Sequence, residues 1–271
     1  MDRGVNSFRE LVSALRGLGI QRSHPVIAHA SLSAFGAVPG GAETVLGAML
    51  AAFDSVLMPA FTFKTMVTPE SGPPDNGIEY GRETDHNRMA LFYESDLAVD
   101  RLMGAVAEAL RRHPLAWRSP HPILSFVAIG LEDVLDSQTL VEPLSPIGKL
   151  AEAEGWVLLL GVDHTVNTSI HYAEYLAGRK QFIRWALTPF GVVECPAFPG
   201  CSQGFQAIAT DLEEITRKTW SGPAQIQAVP LDELILRVRL RLASDPLALL
   251  CSSPECLRCQ AVRAGLGARS S

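Results

Sequence analysis

WVLLLGVDHTVNTSIHYAEY, from Trp156 to Tyr175, is the stretch that decides how the rest of the chain is read. Val157 to Leu160 is an unbroken β-branched and aliphatic run closed by Gly161, as expected of a strand covered on both faces of a sheet. The polar turn Val162–Asn167 follows, and Thr168 then stands where a helix N-cap is wanted. On that reading His171 falls in the first helical turn and Glu174 three residues later, and residues at that spacing share a helix face. A carboxylate there can hold one ring nitrogen and leave the other free to take a proton, which is what a general base needs. The helix N-terminus disfavours imidazolium while the carboxylate favours it, so the two effects oppose and leave a neutral ring near pH 7. The same residues also fit an ordinary face of an amphipathic helix.

Working outward, short apolar runs begin near residues 26, 55 and 124 as well as 157, and helical patterns lie between them. Phe8, Leu11, Val12, Leu15 and Leu18 give Ser7–Leu18 helical spacing, closed by Gly19. Helices are also expected over Ala42–Phe53, Leu97–Arg112 and from Ser145-Pro146 to Ala153, with a C-terminal helix at Asp232–Leu242 and a frayed tail from Gly265. The alternation predicts a single α/β domain spanning 1–271, with a central largely parallel or mixed sheet flanked by helices. Function is then expected in the loops at the strand C-terminal ends, where His29, Phe61, Arg118 and His171 all fall. Gly40-Gly41 could open a helix whose free N–H groups meet an oxygen, or simply connect strand to helix. No Lys-Ser or Lys-Thr follows these glycines and G-x-G-x-x-G is absent, which argues against nucleotide hydrolysis and dinucleotide binding. Thr68–Arg88 is a long polar loop. Glu70, Asp75, Glu79, Glu83 and Asp85 outweigh its Arg82 and Arg88, as suits a substrate lid or a solvated linker.

At 271 residues the chain can bury a full core without covalent staples. No apolar run approaches the roughly 20 residues of a membrane span, so no membrane role is expected. A formal net charge of -6 speaks against nucleic acid and is compatible with a cationic ligand. Charged residues at Asp2, Arg3, Arg9 and Glu10 flank a helical pattern without the apolar stretch of a signal peptide, so a cytoplasmic protein with reduced thiols is expected.

Several ordered motifs carry a resemblance. They are His29-Ala-Ser-Leu-Ser-Ala-Phe-Gly36 with Gly40-Gly41-Ala42, Met58-Pro-Ala-Phe-Thr62, Met103-Gly-Ala-Val-Ala-Glu108, Arg118-Ser-Pro-His-Pro122 and Asn167-Thr-Ser-Ile-His-Tyr-Ala-Glu174. Together they resemble the aminoglycoside 3-N-acetyltransferases over residues 8 to 180. The resemblance implies an α/β fold distinct from the Gcn5-type acetyltransferases, and a resistance activity: transfer of acetyl from acetyl-CoA to the 3-amino group of a 2-deoxystreptamine antibiotic. Phe92–Leu97 departs from the F-D/N-P-x-x-T/S-P stretch of that family, and the region after 180 is divergent.

An alkylammonium attacks a thioester only after losing a proton, so a base near neutrality and an oxyanion donor are needed. His171, oriented by Glu174, fits the base. His29 is either a donor to the thioester or CoA, and so catalytic, or a satisfied buried histidine. The narrow, neutral pantetheine arm suits a channel of backbone groups at Ser31, Leu32, Ser33, Phe35, Gly36 and Val38, joined by Met58, Ala60, Phe61 and Thr62 and by Met103-Gly104. Arg118 and Ser119 offer charge and hydroxyl to CoA. Glu94, Asp96 and Asp163 are candidate contacts for a polycationic small-molecule amine. The same chemistry on another primary amine, such as an amino sugar or aminophosphonate, is one alternative, and a CoA- or aminoglycoside-binding protein without turnover is another. Either a monomer or a homodimer is compatible with these features. All five cysteines lie beyond residue 194. Cys251-x4-Cys256-x2-Cys259 has tolerable zinc spacing, with Cys201 or a histidine as fourth ligand, but reduced structural thiols without a metal are the expectation.

Overall fold

The computed structural model describes residues 5–81 and 87–267. The apolar run at 157 is an interior strand of a seven-stranded sheet. In spatial order the strands are β4 (Trp117–Arg118), β5 (Phe126–Ile129), β2 (Val56–Pro59), β1 (Val26–Ala30), β6 (Trp156–Leu160), β10 (Ala224–Pro230) and β9 (Arg217–Ser221). Only β2, β1 and β6 run parallel; every other neighbouring pair is antiparallel. The sheet is therefore mixed, not largely parallel. Crossover helices link the three central strands, whereas β9 and β10 are joined by a short turn, and a turn of that length can only make an antiparallel pair.

Side-chain alternation divides the core between the two faces of this sheet. Val157 and Leu159 of β6, Ile27 of β1, Leu57 of β2 and Val229 of β10 enter one cluster, while Leu158, Leu160, Val26, Ala28, Val56 and Ile226 enter the other. Helices α1 (Phe8–Gly17), α2 (Gly41–Ala52) and α3 (Gly104–Arg111) cover the second face. Helices α4 (Ser145–Glu152), α5 (Thr168–Leu176) and α6 (Leu231–Ser244) cover the first. His29 has the parity of Ile27, so it points to the α4–α6 side.

Beside this layer stands a smaller antiparallel sheet of β3 (Met66–Val67), β7 (Phe182–Thr188) and β8 (Gly191–Phe198), with Phe182, Ala186 and Phe198 in the same core. The long polar loop before β4 is pinned to it. Asn76 is buried, accepts from the Ile183 N–H at 2.8 Å and donates to the Ile183 carbonyl at 3.0 Å. Arg82, Glu83 and Asp85 lie outside the described residues. The helix expected over Leu97–Arg112 begins only at Gly104, because φ there is +84°, which breaks the 3-10 turn Arg101–Met103 from the α-helix. A Cβ on Gly104 would stand 3.0 Å from the Ala30 carbonyl oxygen, so this glycine lets α3 start against the end of β1. A last helix, α7 (Leu257–Gly267), carries Cys259 and runs through Gly265, where a frayed tail is expected from the sequence; residues 268–271 lie outside the described residues. No helix among the described residues is long and apolar enough to cross a membrane.

Candidate active site

The C-terminal ends of β1, β2 and β6 share one edge of the sheet, and the antiparallel β5 and β10 begin there. Four connections meet at this edge. Ser31 N–H donates to the Leu160 carbonyl at 3.0 Å, Ala60 N–H to Ser125 at 2.8 Å, and Gly161 N–H to Gln225 at 2.8 Å. Gly161 has φ +68°, and a Cβ on it would sit 2.4 Å from that of Ala34. Only glycine lets the loop after β1 and the turn after β6 touch in this way.

From that turn α5 begins. The cap is Asn167, not Thr168: its side-chain oxygen accepts the Ser169 N–H at 3.1 Å, and Thr168 is already helical. His171 and Glu174 meet as their spacing requires, with His171 Nδ1 2.9 Å from Glu174 Oε2. The other carboxylate oxygen accepts from Arg179 at 2.6 Å, and Arg179 is anchored in turn by the carbonyls of Pro246 and Ala248 at 2.7 and 2.8 Å. Glu174 and Arg179 are both buried, with 3% and 5% of their side chains exposed. The carboxylate is thus paired on both oxygens, its orientation is set from two sides, and the imidazole Nε2 takes no part in that pairing. The Phe205 ring packs edge-on against His171 with centroids 4.6 Å apart. Arg179 and Phe205 were not among the residues singled out from sequence. Arg179 lies one turn beyond the helix pair and carried a local signal; Phe205 approaches from a distant segment and carried none.

His29 is buried in β1 with its Nε2 unpartnered. Burial, reinforced by nearby His164, pushes its pKa down to about 3, so the ring is neutral. His164 is also buried, and burial brings it to about 4 against the opposing pull of Asp163. Burial likewise lowers His121 to about 4; its Nδ1 accepts from the Ile123 and Leu124 N–H groups at 3.1 and 3.0 Å.

Arg118 is tied to the edge of the sheet. Its Nε donates to Ser125 Oγ at 3.0 Å, one terminal nitrogen reaches the Ser95 and Leu97 carbonyls, the other reaches Ala60 at 2.7 Å, and the guanidinium lies 5.6 Å from the Tyr93 ring centroid. Ser119 is buried and accepts the Phe126 N–H at 2.8 Å. Both side chains therefore brace this edge through their protein partners. Phe35 and Met58 are core side chains of the α1–α3 face, Phe61 belongs to the other core, and Ala60 and Thr62 are buried; any of these would reach a channel through backbone groups alone. Ser31, Leu32 and Val38 are half-buried, Ser33 and Gly36 exposed, and Met103-Gly104 half-buried beside Ala30.

Among the acids, Glu94 and Asp96 are exposed in a segment that Arg118 and the Tyr93 hydroxyl, donating to Ser119 at 3.0 Å, hold at this edge. Asp163 is exposed in the turn after β6 and accepts from the Thr165 N–H at 2.9 Å. A cleft of about 750 Å³ opens over this turn, walled by Ala34, Asp163, His164, Gln206, Glu213 and Lys218 among others. It does not include His171, so it adjoins the His171–Glu174 pair and does not enclose it.

Residues 27–241 match the family model described as aminoglycoside 3-N-acetyltransferase. An SPbeta prophage-derived aminoglycoside N(3')-acetyltransferase-like protein of Bacillus subtilis is 33% identical over 175 residues, 62% of this chain and 64% of that protein. The chain thus aligns with a little under two thirds of that relative's length. Aminoglycoside N(3)-acetyltransferase III of Salmonella is 28% identical over 239 residues, covering 79% of this chain and 82% of the relative. In three dimensions the crystal structure of the aminoglycoside acetyltransferase AAC(3)-IVa apoenzyme superposes with a TM-score of 0.79 at 24% identity, over 97% of this chain and 99% of that one. That similarity bears on the fold.

Proposed function

The chain belongs to the aminoglycoside 3-N-acetyltransferase family, a family of acyltransferases, and from that premise we propose that it moves the acetyl group of acetyl-CoA onto the 3-amino group of a 2-deoxystreptamine aminoglycoside. The observation that carries the reading is the buried relay in which Arg179 holds Glu174 and Glu174 holds His171 Nδ1. His171 Nε2 takes a proton from the substrate ammonium, and Glu174 stabilises the imidazolium that forms. The freed amine attacks the thioester carbonyl, the tetrahedral intermediate collapses with loss of the C–S bond, the departing CoA thiolate takes the second proton shed by the nitrogen, and His171 returns the first to solvent. His29, neutral because it is buried, is suited to donate one hydrogen bond and unsuited to act as the base.

The pantetheine arm follows the edge formed by Ser31–Val38 and Met103-Gly104, where small residues and free backbone groups pair with its amides. Exposed Glu94, Asp96 and Asp163 supply the negative charge that a polycationic acceptor needs. The departure of Phe92–Leu97 from the family pattern favours a second reading, acetylation of another primary amine by the same relay.

Release of free CoA from acetyl-CoA, measured with a panel of amines, tests both. Stimulation by 2-deoxystreptamine antibiotics is expected, together with raised tolerance to them in cells that express the chain. Stimulation only by amino sugars or aminophosphonates would move the acceptor, and CoA binding without release under any amine would overturn the reaction.

A further inference from the structure

The acetyl transfer uses none of the five cysteines, yet four of them meet. The sulfurs of Cys201, Cys251, Cys256 and Cys259 all lie within 4.8 Å of one another, and those of Cys251 and Cys259 are 3.5 Å apart. None is in a disulfide. A zinc ion with Zn–S bonds of about 2.3 Å in a tetrahedron places its sulfurs about 3.8 Å apart, so the cluster is already near the size such an ion requires. Cys201, Cys251 and Cys259 are buried and Cys256 half-buried, and Leu250 packs against them.

Four neutral thiols are weak partners for each other in such a place. Two arginines stand on the same segment. Arg258 donates to the Gly200 carbonyl at 2.9 Å and Arg263 to the Cys251 carbonyl at 2.5 Å, which brings positive charge toward a site that would carry net charge of about -2 once four thiolates hold one divalent ion. Cys195, whose sulfur lies in the main core with Phe182 and Phe198, is excluded from this arrangement.

We propose that Cys201, Cys251, Cys256 and Cys259 form a structural zinc site. Binding replaces four S–H protons with one Zn²⁺, releases up to four protons and involves no change of oxidation state. All four positions are filled by protein sulfur, so the ion has no open site for chemistry and acts as a staple. It joins the connection after β8 to the segment that leads into the first turn of α7. The first of these carries Phe205, whose ring lies on His171, and the second follows Pro246 and Ala248, whose carbonyls hold Arg179. An effect on turnover through those contacts rests on the reading of His171 as the base; zinc binding itself does not.

Elemental analysis of the untagged full chain, purified without chelator, reads the site directly. About one equivalent of zinc per chain is expected, retained in Cys195→Ala and lost in Cys251→Ser and Cys256→Ser. Should those variants fail to fold, titration of the unaltered protein with a mercurial reagent keeps the test open: zinc should appear in step with modification of the four thiols. Exchange with cobalt(II) should produce the intense visible absorption of tetrahedral thiolate-bound cobalt. Protein that holds no zinc after growth in zinc-supplied medium and binds added zinc no more tightly than about 1 μM would overturn the proposal, as would a mass showing the four sulfurs paired as disulfides. Absence of acetyl transfer in a chain that holds zinc would bear on the proposed reaction alone.

Discussion

His171 and His29 lie on the same side of one sheet, yet their surroundings differ in the one respect that matters for proton transfer. His171 stands near the head of a helix with a buried carboxylate on Nδ1, and that carboxylate is itself held by Arg179. His29 sits within a strand, its Nε2 unpartnered, and burial drives its pKa down to about 3. A cation formed on the first has a counter-charge waiting; a cation formed on the second has none. The difference teaches that the proposal of His171 as base rests on what supports its ring, since both histidines belong to ordered motifs of the sequence.

The strongest way to break this comparison is His171→Ala. Turnover should fall by about 10²–10⁴-fold, the usual worth of a positioned base, with acetyl-CoA affinity nearly unchanged in equilibrium binding. Near-normal rates would transfer the role to His29. Removing the far end of the relay, Arg179→Ala leaves the buried Glu174 with His171 alone and without its permanent counter-charge, and should cost about 3–5 kcal/mol in urea unfolding. A loss below about 1 kcal/mol, within the range of exposed pairs, would mean that the carboxylate is not held as described.

The buried histidines give an acid dependence. His29, His121 and His164 have folded-state pKa values of about 3, 4 and 4, below the unfolded value of about 6.5. Between those limits the unfolded chain binds more protons, so the stability contributed by the neutral rings is complete above pH 6.5 and fades as pH falls towards 4. Melting temperature should drop across that window, and His164→Gln should flatten part of the slope. The smallest effect is expected of His29→Leu: it removes an unsatisfied buried nitrogen, whose desolvation costs about 1–3 kcal/mol, so stability should hold or rise while turnover falls by about tenfold or less. A loss approaching that of His171→Ala would erase the distinction between the two rings.

The central strands, the flanking helices up to residue 153 and the His171–Glu174 face could be read directly, because each rests on periodicity within a few residues. The two hairpins after residue 180 could not. In β7 the buried and half-buried residues alternate, Phe182, Arg184, Ala186 and Thr188 being the buried set, and a buried arginine and threonine blur the apolar pattern. Arg184 is instead accommodated by the Asn76 carbonyl at 3.1 Å and by the Phe198 ring 5.0 Å away, partners remote in the chain. The same holds at the site. The i, i+3 pair was legible, but the commitment of Arg118 to the Ala60, Ser95 and Leu97 carbonyls depends on segments brought together only by folding. Cys201 as partner to the later cysteines was one of two options on spacing, and the fold brings its sulfur to theirs.

The place of β6 in the sheet also sets an order of assembly. It lies between β1, far upstream, and β10, far downstream, and Arg179 waits on Pro246 and Ala248. During synthesis the parallel strands can therefore pair, and the relay residues can emerge, well before the carbonyls that align them exist. The nascent chain exposes an unpaired β6 edge throughout that interval, which makes the last hundred residues a safeguard against edge-to-edge aggregation as much as a completion of the enzyme.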